Sequence, residues 1–238
     1  MDAYKDAIAL VDHASDELTR IRAAYEQALS AKSVSPALLI AIKNLCENLR
    51  SALDFVSVAA HEKYCNGDTA RLNIAFPYAK STTTQQEFRE TLAKRFSGLD
   101  ATRPDLFQSF VDVQYFGSKG FTWLPAFIEL NNESKHQRLI PQVRREQREL
   151  HISNGGTGIV LGQGAAIVLG NGASVSVGGA LIHGGQTVST DSIPSMQGGK
   201  AEIITWVSFH FESNNQPVIP LLMKATAGVR EIVEMLCK

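Results

Sequence analysis

Cysteine is scarce in this chain of 238 residues: Cys46, Cys65 and Cys237 are odd in number, far apart and without a C-x-x-C pair. Neither a disulfide framework nor a zinc ribbon is indicated. Uninterrupted apolar runs are lacking as well, since the most apolar stretch, 38–60, contains Lys43, Glu47, Arg50 and Asp54. That excludes a membrane span of about 20 residues. The first residues, Met1-Asp2-Ala3-Tyr4-Lys5-Asp6, carry acids where a secretion signal would carry bases; the expectation is a soluble, cytoplasmic protein with reduced thiols. Net charge is −1, which gives no global attraction to nucleic acid or to an acidic membrane surface. Phosphate loops are missing too: no G-x-x-x-x-G-K-[ST] occurs, and Gly162-Gln163-Gly164 is followed by Ile167 where a dinucleotide loop needs its third glycine. No cofactor is expected.

Charge is also lacking locally, because 151–199 holds a single charged residue, Asp191, together with 13 of the 18 glycines. The chain therefore changes structural character near His151. Before that point, helical periodicity dominates. Ile8, Val11, Leu18, Ile21, Tyr25 and Leu29 recur at three- and four-residue intervals and predict a helix over 2–32. Ser35-Pro36 offers an N-cap with proline at the first helical position, and Leu38, Ile42, Leu45, Leu49, Ala52, Val56 and Ala59 carry a second helix to Tyr64. Shorter helices follow over 85–96, from Pro104 to about Tyr115, and from about Pro125 to Leu139, with a loop around Phe76-Pro77-Tyr78.

After 151 the chain runs in approximate units of eight, 157–164, 165–172 and 173–180, whose short aliphatic stretches between glycines predict strands joined by tight hairpin turns. From Lys200 to Glu212, Ile203, Thr205, Val207, Phe209 and Phe211 alternate with their neighbours, a strand with one buried face. Leu222, Val229, Ile232, Val233 and Leu236 mark a last helix, docked on the sheet or on the helical core. The fold class is α+β. An N-terminal bundle of about five helices (1–150) precedes a Gly-rich antiparallel β region with a C-terminal helix (151–238), the two expected to share one core.

Polar residues interrupt apolar faces at two places. On the fifth helix Asn131, Lys135 and Arg138 fall on the same side as Leu124, Phe127 and Ile128, at 100° per residue. On the second helix Arg50, Asp54, Ser57 and His61 share one flank, and Asp54 can receive Lys135 or Arg138. A buried amide or ammonium needs a partner, so Asn131, Lys135, Arg138 and Asp54 are expected to form a polar network between these helices. If the network is open to a substrate, Arg50, Asp54, His61, Lys135 and His136 are the candidate acid–base or anion-binding groups. A purely structural network of ion pairs is the competing account. His61 and Cys65 stand i, i+4, but no second ligand pair accompanies them, so no metal is expected.

Leu49-Arg50-Ser51-Ala52-Leu53-Asp54, Phe76-Pro77, Asn131-Asn132 ahead of Lys135-His136, and Phe209-His210-Phe211 with Pro217-Val218 together resemble the pattern of an uncharacterised family of bacterial proteins, L-R-S-A-L-D … F-P … N-x-x-x-K-H … F-x-F…P-V. The resemblance spans almost the whole chain and implies no activity. The helical part is also similar to HEPN-type domains, whose RNA-cleaving members pair arginine and histidine as R-x-x-x-x-H; here Arg50 and His61 are eleven apart. That likeness implies metal-independent RNA cleavage in a toxin or phage-defence setting, with Arg50 on the phosphate and His136 or His61 moving a proton.

Three functions follow as expectations. The first is a non-catalytic binding, oligomerising or structural protein, its uncharged strands covered by the helices of the same chain or by a second copy. The second is the HEPN-like ribonuclease. The third is a small-molecule sensor, which requires a closed cavity between the second and fifth helices.

Overall fold

The computed structural model describes residues 3–31, 33–65, 74–136, 139, 141–154, 157–177 and 180–237, with backbone alone at 134–136, 177 and 206. The fold is α+β, with seven helices among the described residues. Contacts divide the chain into two compact units, Met1–Val143 with His210–Lys238, and Arg144–Phe209. No helix among the described residues is long and apolar enough to cross a membrane.

The first unit is built on two helices of equal length, α1 (Ala3–Ala31) and α2 (Pro36–Tyr64). They run antiparallel, since Ala3 and Tyr64 line the same cavity. Ser35 caps α2 as its sequence requires, its hydroxyl accepting from the Leu38 N–H at 3.2 Å, with Pro36 in the first turn. The buried edge of α1 is Ala7, Val11, Ala14, Ile21, Tyr25 and Ala28. The aliphatic residues expected there, Ile8, Leu18 and Leu29, are only half-buried. Three alanines share the buried edge with Val11, Ile21 and Tyr25, a share that hydrophobic spacing alone does not reveal. Helix α2 is buried along about half of its circumference, from Leu38 to His61.

Helix α3 (Gln85–Arg95) opens with a reciprocal cap: Thr84 Oγ1 accepts from the Glu87 N–H at 3.3 Å, and Glu87 accepts from the Thr84 N–H at 2.8 Å. The bundle holds six helices before the strands, not about five. The addition is α4 (Leu99–Thr102), a single turn that follows Gly98 at φ 87°. Helix α5 (Pro104–Asp112) ends three residues before Tyr115, and α6 (Trp123–His136) begins two residues before Pro125, which sits in its first turn. The irregular stretch 74–80 is fastened by the buried Gln114, whose amide accepts from the Ala79 N–H at 2.8 Å and donates to Pro77 O at 3.3 Å and Phe110 O at 2.8 Å. Of the two docking surfaces open to the last helix, α7 (Val218–Leu236) takes the helical one: it packs on α1 and α2, Arg230 reaches Asp12 at 2.7 Å, and Lys119 reaches Glu231 at 2.6 Å.

The second unit is antiparallel throughout its registered pairs. It contains β1 (Gln142–Asn154), which begins just before it, then β2 (Thr157–Leu161), β3 (Ala166–Val168), β4 (Ser174–Val177), β5 (Ala180–His183), β6 (Thr187–Ser189), β7 (Met196–Gln197) and β8 (Lys200–Phe211), which ends just beyond it. Three small sheets have the orders β2-β1-β8, β3-β6 and β4-β5-β7. The units of eight place β2, β3 and β4 at equivalent positions, and their turns repeat, with Gly164 and Gly172 both at φ 83°. Yet β2, β3 and β4 do not form hairpins with one another: β2 pairs with β1, β3 with β6 and β4 with β5. Ile159, Ile167 and Val175 point inward from the three equivalent strands onto a core of Leu150, Ile152, Leu161, Ile182 and Val188. The expected buried face of β8 is realised only at its end, where Phe209 and Phe211 are buried while Ile203 and Thr205 are exposed.

Gly228 in α7 leaves no room for a side chain, because a Cβ there would meet Trp123 Cζ2 at 2.2 Å. Helix propensity favours alanine over glycine by about 1 kcal/mol, but overpacking against a ring wedged between Phe121 and Phe127 costs about 1–3 kcal/mol. Gly228→Ala is therefore expected to lower the urea midpoint; a raised midpoint would show that Trp123 moves aside freely.

Candidate functional site

The polar flank of α2 exists as the spacing requires, and it is turned inward. Arg50 is 6 % exposed, Ser57 fully buried and His61 1 % exposed, while Asp54 is half-buried. Arg50 Nε lies 3.2 Å from Asp54 Oδ1 and 3.3 Å from Oδ2, and Oδ1 also accepts the Phe76 N–H at 2.7 Å. One carboxylate thus answers a buried cation on its own helix and a backbone donor 22 residues further along. Charge-assisted bonds of this kind are stronger than neutral ones. His61 meets the Phe96 ring edge-on at 5.8 Å, and Phe96 and Phe76 both lean on Phe110, at 5.1 and 5.9 Å. Aromatic rings therefore wall the row. Arg50 Nη1, Ser57 Oγ and His61 Nδ1 have no hydrogen-bond partner among the described residues, an arrangement that costs about 1–3 kcal/mol per group if no water reaches it.

The expected network between the second and fifth helices takes a different form. Asn131 on α6 is fully buried, as its place on an apolar face demands, and it donates to Cys46 O on α2 at 3.2 Å. Its described partner on α2 is a backbone carbonyl, and the described partners of Asp54 are Arg50 and Phe76. The side chains of Lys135 and His136, and Arg138 altogether, lie outside the described residues. Cys46 beside this contact is buried, which together with Glu47 pushes its thiol up to about 12. The Cys65 thiol is also raised by burial.

A second cluster escaped sequence reasoning. At the end of α2, Arg103 donates from Nη1 to Tyr64 Oη at 2.9 Å and grips Asp105 through Nε at 2.9 Å and Nη2 at 2.7 Å. Arg103 and Lys63 both lie over the Tyr64 ring, at 4.9 and 5.0 Å from its centroid. The hydrogen bond from Lys63, with the two positive charges, holds the Tyr64 hydroxyl below its usual range, and the bidentate Arg103 contact holds Asp105 down at about 2. Only Arg103-Pro104-Asp105 hinted at this, and that tripeptide reads as a helix start.

The row on α2 can hold charge and hydrogen bonds, but Arg50 and His61 are buried, so a substrate reaches neither unless their surroundings move. Among the described residues no three His, Cys, Asp or Glu side chains gather as a metal-binding group.

Removing the shared carboxylate leaves a buried guanidinium and a buried N–H unanswered. Asp54→Ala is expected to cost about 3 kcal/mol in denaturant unfolding, and Arg50→Met with Asp54→Ala less than the two singles summed. Strict additivity would show that the pair does not interact. Thiolate, the reactive form, is suppressed at Cys46, so at pH 8 a disulfide reagent is expected to modify Cys46 only on unfolding, whatever the rates at the other two thiols. No protein-family model, no curated protein and no solved structure matches the chain, and the geometry alone carries the functional reading.

Proposed function

We propose that the chain is a non-catalytic protein that works by association, its β unit pairing with a second copy. The observation that carries this is the outward placement of Val160 and Val168, 54 % and 75 % exposed, at equivalent positions of two eight-residue units. They belong to a stretch, 151–199, whose sole charge is Asp191. Strands at the edge of a sheet ordinarily carry lysine, proline or inward charges that block pairing with other chains. The described strands β2 and β3 carry none of these. A second copy supplies uncharged edges of the same length, and pairing between identical surfaces closes as a two-fold dimer. The inward orientation of Arg50 and His61 supports the non-catalytic half, since general acid–base groups must touch the substrate.

Light scattering after size exclusion tests this on the full chain. The expected result is a dimer or larger species that Val160→Lys with Val168→Lys converts to monomer. A monomer across all concentrations, or cleavage of RNA by the purified protein without added metal, would overturn it; the latter would favour the ribonuclease.

A further inference from the structure

The first unit holds a cavity of about 510 Å³ bounded by the start of α1 and the ends of α2 and α7, a volume typical of small-molecule sites. It arises from a change in α2. That helix buries leucines at 38, 45, 49 and 53, then offers Val56, Ala59 and Ala60, whose smaller side chains line the cavity among the described residues. Val56, Ala60 and Lys63 follow at i, i+4 and i+7 on one stripe, so the apolar floor runs into a cation. Tyr4 and Tyr64 stand on the two sides, and Leu236 closes the α7 end.

Charge narrows the occupant further. Arg103 is matched by Asp105, whereas the described partner of Lys63 is the Tyr64 side chain, and no carboxylate among the described residues pairs with it. Glu62 also lines the cavity, about 100° around the helix from Lys63. One negative group on a ligand therefore finds an ammonium with no carboxylate partner among the described residues, and a second one meets the repulsion of Glu62.

We propose that this cavity binds a small organic monocarboxylate, aromatic or short aliphatic, with its apolar body over Val56, Ala60 and Leu236 between the two tyrosines and its carboxylate at Lys63. Binding here is independent of self-association. The test is calorimetric titration of the full chain with benzoate and octanoate, against benzamide and octylammonium as neutral and cationic counterparts. At least one carboxylate is expected to bind one per chain and more tightly than its counterpart. Ala59→Trp, at a half-exposed wall position, and Lys63→Glu are each expected to weaken it by about tenfold or more while far-UV circular dichroism is unchanged, and Lys63→Arg to retain it. Failure of both carboxylates to bind, equal binding of the uncharged or cationic compounds, or undiminished binding by both weakening variants would overturn the proposal.

Discussion

The helical unit depends on a single half-buried carboxylate. Arg50 lies on the buried face of α2, so its charge is not met by bulk solvent, and the counter-charge is one turn along at Asp54. The same carboxylate holds the N–H of Phe76, which fixes the irregular stretch that bears Phe76 and Pro77, and Phe76 in turn packs on Phe110. A polar contact thereby positions an aromatic core. Removing water from such groups is costly unless geometry compensates; Asp54 serves both Arg50 and the Phe76 N–H, while Gln114 fastens the rest of 74–80.

Much of the helical architecture was legible because each signal was local. Ser35-Pro36 announces a helix start within two residues, and three- and four-residue spacing of aliphatic side chains announces the bodies. The burial of Asn131 was legible for the same reason, as a polar residue on an apolar face. Its acceptor was not, because a backbone carbonyl such as that of Cys46 has no side-chain signature. Nor was the Phe76 N–H, the second donor to Asp54. On α1, Val11, Ile21 and Tyr25 were legible as buried, whereas Ala7, Ala14 and Ala28 were not, since alanine gives a weak hydrophobic signal.

The β unit shows where local signals fail. Arg144, Arg145, Glu146, Arg148 and Glu149 lie in β1, whose residues 145–148 are exposed in succession, so neither alternation nor an apolar run marks the start of that strand. The glycine turns at 162–165 and 170–173 were correctly placed, but turn chemistry specifies a change of direction and not which strand receives the returning chain. Pairing of β3 with β6 rather than with β2 or β4 is set by the joint burial of Ile159, Ile167 and Val175, a condition that involves the whole unit at once.

That repetition has a cost during folding. Ile159-Val160-Leu161-Gly162 and Ile167-Val168-Leu169-Gly170 are the same four residues in the same order, so a chain that threads the later copy against β1 buries nearly the same side chains as the native arrangement. Connection length, the fit of the remaining strands and one residue tell the two threadings apart: Gly158 leaves no room for a Cβ, which would meet Ile152 O at 2.4 Å, and the later copy carries Ala166 at that position. The duplication thus writes a competing threading into the chain, and the bare backbone of Gly158 is what disfavours it.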